Sequence, residues 1–389
     1  MAYQKDEAAP EAWLAAAHGA NDSYSGFLKP LMPFIAANAD ISMAAAAIIL
    51  STGHIFGSIL QPLFGFFADR AASRGFVFFG LLGSSIFIPL AAASSHTAPL
   101  VLFVVLGALG SSFFHPQALR LVHTFTKGSA VKNMGIFMAL GMAGAALGPL
   151  FAGFAAQSFG LSSMPWLSLF GIAAALSMFL FLPKVPLTEV KKRAFTFREA
   201  FGAILKNREL NILNLISMLK SLMTTSCTVL LPFQWKAMGY PQAGIGLAIF
   251  FFVISGALAN ILSPRLERKI GTHAAFYFSL IGTLPLMAGF YFTYEASPIL
   301  SFVLFALTGF VANFAAPVTM SIAQSVLPQY KAVIGGFING FSWGVIAILM
   351  TGIAYAAQRT DIPAVLFALA FVPALFSFLV RYIRTGIKN

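Results

Sequence analysis

The sequence predicts an all-α membrane protein of twelve transmembrane helices arranged as two six-helix halves. Three observations carry that expectation. Hydrophobic residues make up 59% of the chain and charged residues only 9%, with a mean hydropathy of +0.84, whereas soluble domains carry roughly a quarter charged residues. Apolar runs of about 20 residues, the length that crosses a bilayer core as helix, recur along all 389 residues. Landmarks of the first half also return in the second at a nearly constant offset.

The runs fall at 12–37, 42–68, 75–95, 98–123, 131–158, 163–183, 210–235, 240–263, 272–294, 297–321, 333–357 and 362–384. The first is not a cleavable signal peptide: it is too long, follows Asp6, Glu7 and Glu11, and lacks a small-residue cleavage site. Between the sixth and seventh runs lies the one long charged stretch, with Lys184, Lys191, Lys192, Arg193, Arg198, Lys206 and Arg208. It divides the chain into an N-terminal bundle (1–183), a basic linker (184–209) and a C-terminal bundle (210–389). Nearly all lysines and arginines fall on one side of this twelve-span arrangement, so that side is cytoplasmic and holds both termini. The formal charge of +12 thus reflects topology and needs no nucleic acid. Trp13, Trp166 and Trp235 stand at span ends, where an interfacial belt would place them. A lone cysteine, Cys227, excludes an intrachain disulfide.

Internal duplication is legible in five ordered matches. Pro33-Phe34 pairs with Pro232-Phe233, Gly57 with Gly256, Gly107 with Gly309, Gly135 with Gly335, and Gly144 with Gly344, all at offsets of 199 to 202. Parallel six-span halves, with a binding site near the midplane of their interface, describe a secondary transporter that exposes its site alternately to each side.

Asp22 is the one acid deep inside an apolar run, and a carboxylate at that depth is costly unless paired, hydrated or protonated. His18, Asp22, Ser25 and Lys29 recur at four, three and four, which places them on one helix face. Two readings follow. Asp22 is a proton-carrying group, with His18 and His54 as partners, or it is a permanently paired aspartate that fixes helix packing. In the second run Ser51, His54, Ser58 and Gln61 form a further polar stripe, and His54 reaches the depth of Asp22. Lys220 lies opposite Asn21 by the repeat offset of 199, and a buried lysine needs an anion, either Asp22 or substrate. Lys29, Lys220, His115, Asn21, Gln61, Asn313 and Asn339 are the candidate substrate contacts, and Trp343 is a further cavity candidate. Cations outnumber the single carboxylate, so the cavity favours an anionic or zwitterionic small molecule. Gly144, Gly148 and Pro149 are read as helix-packing residues.

Motifs then carry a resemblance. Residues 65–74, Gly-Phe-Phe-Ala-Asp-Arg-Ala-Ala-Ser-Arg, resemble the cytoplasmic signature loop of the major facilitator superfamily, departing from it at Ala72 and Ser73. Residues 144–153 are similar to that family's antiporter motif, with Ala152 in place of a glycine. His18-Gly19-Ala20-Asn21-Asp22, with Gly110 through Pro116, resembles the fosmidomycin-resistance branch. The resemblance implies the major facilitator fold, alternating access, and proton antiport that drives efflux of a drug-like small molecule. It also implies a conformational latch at Asp69, Arg70 and Arg74, and a monomer in a bacterial cytoplasmic membrane that uses the proton gradient in place of a cofactor. The runner-up is proton-symport uptake of a carboxylate or similar organic anion, a carboxylate siderophore included. An enzyme is not expected, since the chain has no His-Glu-x-x-His zinc site, no paired-aspartate motif and no Gly-Lys-Ser/Thr phosphate loop.

Overall fold

A computed structural model describes residues 10–60, 64, 73–125, 130–184 and 196–383, and among them every regular element is helical. The N-terminal half contains α1 (Pro10–Asn38), α2 (Met43–Ile59), α3 (Arg74–Ala92), α4 (Thr97–Phe125), α5 (Ala130–Phe159) and α6 (Ser168–Phe181). A short helix, α7 (Phe197–Lys206), precedes the C-terminal half. That half has α8 (Arg208–Ala237), α9 (Gln242–Ile270), α10 (Thr272–Ile281), α11 (Thr283–Thr293), α12 (Pro298–Asn313), α13 (Ala316–Val326), α14 (Lys331–Gly336), α15 (Ser342–Arg359) and α16 (Ile362–Leu375). Among the described residues nine helical stretches are long and apolar enough to cross a membrane, and α2 is a shorter apolar helix. The long helix α1 is not one of the nine, because its polar face dilutes its apolar residues.

Several expected spans are interrupted, each for a local reason. Pro317 lies in the first turn of α13 and has no N–H, so the ladder of α12 stops at Asn313 and the chain turns before resuming. Between α14 and α15 the backbone widens into a π-turn at Phe337–Phe341, where Ser217 of α8 donates to the Ile338 carbonyl at 3.0 Å. A 3-10 turn at Leu161–Leu167, containing Pro165, leads into α6. Gly160 precedes it at φ 79°, a conformation only glycine adopts cheaply. Tyr24 of α1 pins this junction, donating to the Leu167 carbonyl at 2.6 Å and accepting from the Gly171 N–H at 2.8 Å. The basic linker is helical in part: Thr196 and Glu199 form a reciprocal capping box that starts α7. Trp166 is 72% exposed, but Trp235 departs from the expected belt. It is buried against Phe302 and Phe305, with ring centroids 5.3 and 5.0 Å away.

Burial defines how the halves meet. One core draws on both of them, including Leu31, Ile35, Leu50 and Ala152 with Leu230, Trp235, Ile249 and Met350. Two further cores are confined to single halves: Leu14, Leu81, Phe114 and Met178 in the first, and Leu213, Phe276, Ile322 and Ile334 in the second. The shared core lies toward the end remote from the basic linker; the separate cores lie toward the linker. Backbones approach closely at the shared end, where a Cβ on Gly246 of α9 would strike the Pro149 carbonyl of α5. Lys236 at the end of α8 donates to the Pro33 carbonyl of α1 at 2.7 Å and rests 5.2 Å from the Phe34 ring centroid. The conformation is therefore closed at the end opposite the basic residues.

Candidate functional site

The site grows from the contact between α1 and α5. Added Cβ atoms at Gly144 and Gly148 would collide with the carbonyls of Gly19 and Ser23, and one at Gly26 would sit 2.7 Å from Cδ of Pro149. Only hydrogen side chains let the two helices come this near. Gly141 completes the set, because a Cβ there would occupy the space of the His18 imidazole. With that space open, His18 stacks on Phe137, ring centroids 4.0 Å apart, and its Nδ1 lies 2.9 Å from the Phe137 carbonyl oxygen.

That anchor determines where protons sit. A carbonyl only accepts, so Nδ1 of His18 carries the hydrogen. Its Nε2 lies 3.2 Å from Oδ2 of Asp22, a contact that needs one more proton, on either the imidazole or the carboxyl. From the other side, Nε2 of His115 is 3.5 Å from Oδ1 of Asp22 and 3.3 Å from the Ser111 hydroxyl. Asn21 braces the group: its amide donates to Asp22 Oδ1 and Ser111 Oγ, both at 3.1 Å, and its carbonyl accepts from Ser84 at 2.8 Å. The arrangement is a carboxylate between two imidazoles, a geometry in which a proton can be shared. Side-chain exposure rises from 7% for His18 through 18% for Asp22 to 30% for His115, so access to the cluster runs past His115.

The lysines stand apart from this group. Lys29 and Lys220 are half-buried, and neither has a carboxylate at ion-pair distance among the described residues, where Asp22 pairs with histidines. Lys29 is within electrostatic reach of His54, whose ring meets Trp343 of α15 edge-on at 6.4 Å. Among the described residues, Lys29 and Lys220 are thus half-buried amines without a carboxylate partner, and His54 is a half-buried imidazole near Lys29. Such a set can hold an anion.

The remaining predicted residues are distributed more widely. His54 and Asp22, expected to meet, have different partners. Asn21, expected at substrate, is fully buried and positions Asp22 instead. Asn313 bonds the Gly309 carbonyl at 2.9 Å and fills the space beside Gly256. Arg74 donates to the Leu182 carbonyl at 2.7 Å and lies 4.5 Å from the Phe179 ring centroid, contacts within its own half. Asn339 falls in the π-turn, its side chain outside the described residues, as are Gln61, Asp69 and Arg70. Sequence reasoning missed Ser84. Its signal was faint, a Gly83-Ser84-Ser85 run in an otherwise apolar helix.

A helical body built as two halves, with an ionisable cluster near the middle of its first span, defines the class of secondary transporters. Residues 14–351 match the Major Facilitator Superfamily. The chain belongs to that superfamily and is a membrane transporter rather than an enzyme. It is 23% identical over 391 residues to the fosmidomycin resistance protein of Escherichia coli (strain K12), covering 93% of this chain and 89% of the relative. It is 24% identical over 372 residues to an uncharacterised MFS-type transporter of Bacillus subtilis (strain 168), covering 92% and 88%. A bacterial homologue of the human lysosomal transporter Spinster, in an inward-facing unoccupied conformation, superposes with a TM-score of 0.76 at 14% identity over 96% of each chain.

Proposed function

We propose that this transporter couples proton movement to transport of a small organic anion or zwitterion, exporting it by proton antiport across a bacterial cytoplasmic membrane. The observation that carries this reading is Asp22 held between His18 and His115. A carboxylate within reach of two imidazoles can release or accept a proton with little rearrangement, and its graded exposure gives protons a route past His115. Substrate binds against Lys29, Lys220 and His54, and the charge of the two lysines, without a carboxylate partner among the described residues, selects for an anion. The fosmidomycin resistance relative favours export, and fosmidomycin is the first compound to assay. In this reading the protein acts as a monomer with the basic side and both termini cytoplasmic, and the two bundles (1–183 and 210–389) rock about the linker. Uptake by symport would use the same groups, and the direction of coupled flux distinguishes it.

The experiment is flux in proteoliposomes under an imposed pH gradient. Wild-type protein accumulates fosmidomycin on the acidic side and the Asp22→Asn variant does not, although it retains exchange between preloaded and external compound. Undiminished gradient-driven accumulation in that variant rejects Asp22 as the proton carrier.

A further inference from the structure

A recess of about 250 Å³ lies at the basic side of the molecule, lined by Asn207, Arg208, Glu209, Ile212 and Tyr382. It is remote from Asp22 and the lysines. Its walls are the first turn of α8 and the last residue of a 3-10 turn, Phe376–Tyr382. One candidate span begins at Arg208 and another finishes at Tyr382. The recess therefore sits where two spans leave the apolar layer, the depth occupied by lipid headgroups.

Arg208 lines the recess, and a second guanidinium, that of Arg381, meets the Tyr382 ring that walls it. Cζ of Arg208 and Cζ of Arg381 each lie 4.8 Å from the centroid of the Tyr382 ring, and Nη2 of Arg381 donates to the Tyr382 hydroxyl at 2.8 Å. Neither is paired with a carboxylate among the described residues. Holding two like charges at one ring is unfavourable unless an anion joins them.

The neighbouring helix α7 supplies an independent observation. It buries Ala200 and Ile204 and presents Phe197 and Leu205, 51% and 50% exposed, to the outside. Arg198 and Lys206 flank these apolar side chains, the pattern of a helix lying in a membrane interface. A headgroup in the recess would thus have its acyl chains beside an apolar helix face.

We infer that this recess binds the headgroup of an anionic phospholipid, its phosphodiester drawn by Arg208 in the recess and Arg381 across the Tyr382 ring, and its headgroup hydroxyls against Asn207. Full-length protein, purified and exposed to equimolar phosphatidylglycerol and phosphatidylcholine, would be examined by native mass spectrometry. Wild-type protein retains phosphatidylglycerol preferentially, and the Arg208→Ala/Arg381→Ala double variant binds it about tenfold to thirtyfold more weakly, with phosphatidylcholine unchanged. An Arg265→Ala/Arg268→Ala variant removes the same charge from the end of α9 and should keep wild-type retention. Equal loss in both double variants would mean diffuse surface attraction and overturn the site. So would retention unaffected by the first pair, with melting temperatures confirming that each variant is folded.

Discussion

The side chain of Gln358 at the end of α15 accepts the backbone N–H of Ala44 in the first turn of α2 at 3.0 Å, so a residue of one half caps a helix of the other. Gln157 of α5 does the same for Ala243 of α9 at 3.2 Å. Both amides are second-residue N–H groups with no partner in their own helix. The capped pair is 199 residues apart and the glutamines 201, within the range of the internal repeat. The two bonds are pseudo-symmetric fasteners at the closed end.

Each such bond contributes about 0.5–1.5 kcal/mol, the exposed Gln358 contact at the lower end. Gln157→Ala and Gln358→Ala should each shift the balance between the two access states by about twofold to tenfold, with the effects multiplying in the double variant. Spin labels across the closed end, measured by electron–electron distance spectroscopy, would show a longer-distance population that grows from wild type to double variant. An unchanged distribution in the double variant would show that the shared core alone holds this end shut.

Gly141→Ala tests the proton cluster without altering an ionisable group. The new methyl must displace the His18 ring or separate α5 from α1, at a cost of about 1–3 kcal/mol for overpacking. Gradient-driven flux should fall and its pH profile should move. Gly202→Ala, in α7, meets open space and should leave both unchanged.

Lys220→Ala should weaken an anionic substrate about tenfold to a hundredfold while a neutral analogue of similar shape loses little, because charge-assisted contacts contribute about 1.5–3 kcal/mol. Isothermal titration with both ligands reads the difference. Equal weakening of the two, with a lowered melting temperature, would assign Lys220 to structure.

Helix α7 should respond to acid. The Thr196 N–H, 2.7 Å from Oε2 of Glu199, holds that carboxyl below the usual carboxylate range, helped by the Thr196 side chain. The unfolded segment has an ordinary carboxyl, so the ionised cap supports α7 at every pH above that range. Support is lost as pH falls from the ordinary carboxylate value through the folded one. Hydrogen exchange at the first amides of α7 should accelerate over that window in wild type. Glu199→Gln should abolish this pH dependence.

The all-helical membrane class and the polar face of α1 were legible in the sequence because each is local: a bilayer imposes a length on apolar runs, and a helix brings residues three and four apart to one face. The interruptions at Pro317 and the π-turn were less legible, since they depend on where a neighbouring helix can satisfy the freed backbone groups, as Ser217 does for Ile338. For the site, the sequence by itself determined that Asp22 needed a partner at membrane depth. It also placed His18 one turn away. Tertiary structure decided the rest. His115 rather than His54 or a lysine faces the carboxylate because glycines 144 and 148 draw α5 against α1, and because Asn21, Ser84 and Ser111 tie α1 to α3 and α4. Residues ninety positions apart are brought within 3.1 Å only by helix packing, and spacing along one helix carries no record of which neighbour will be there.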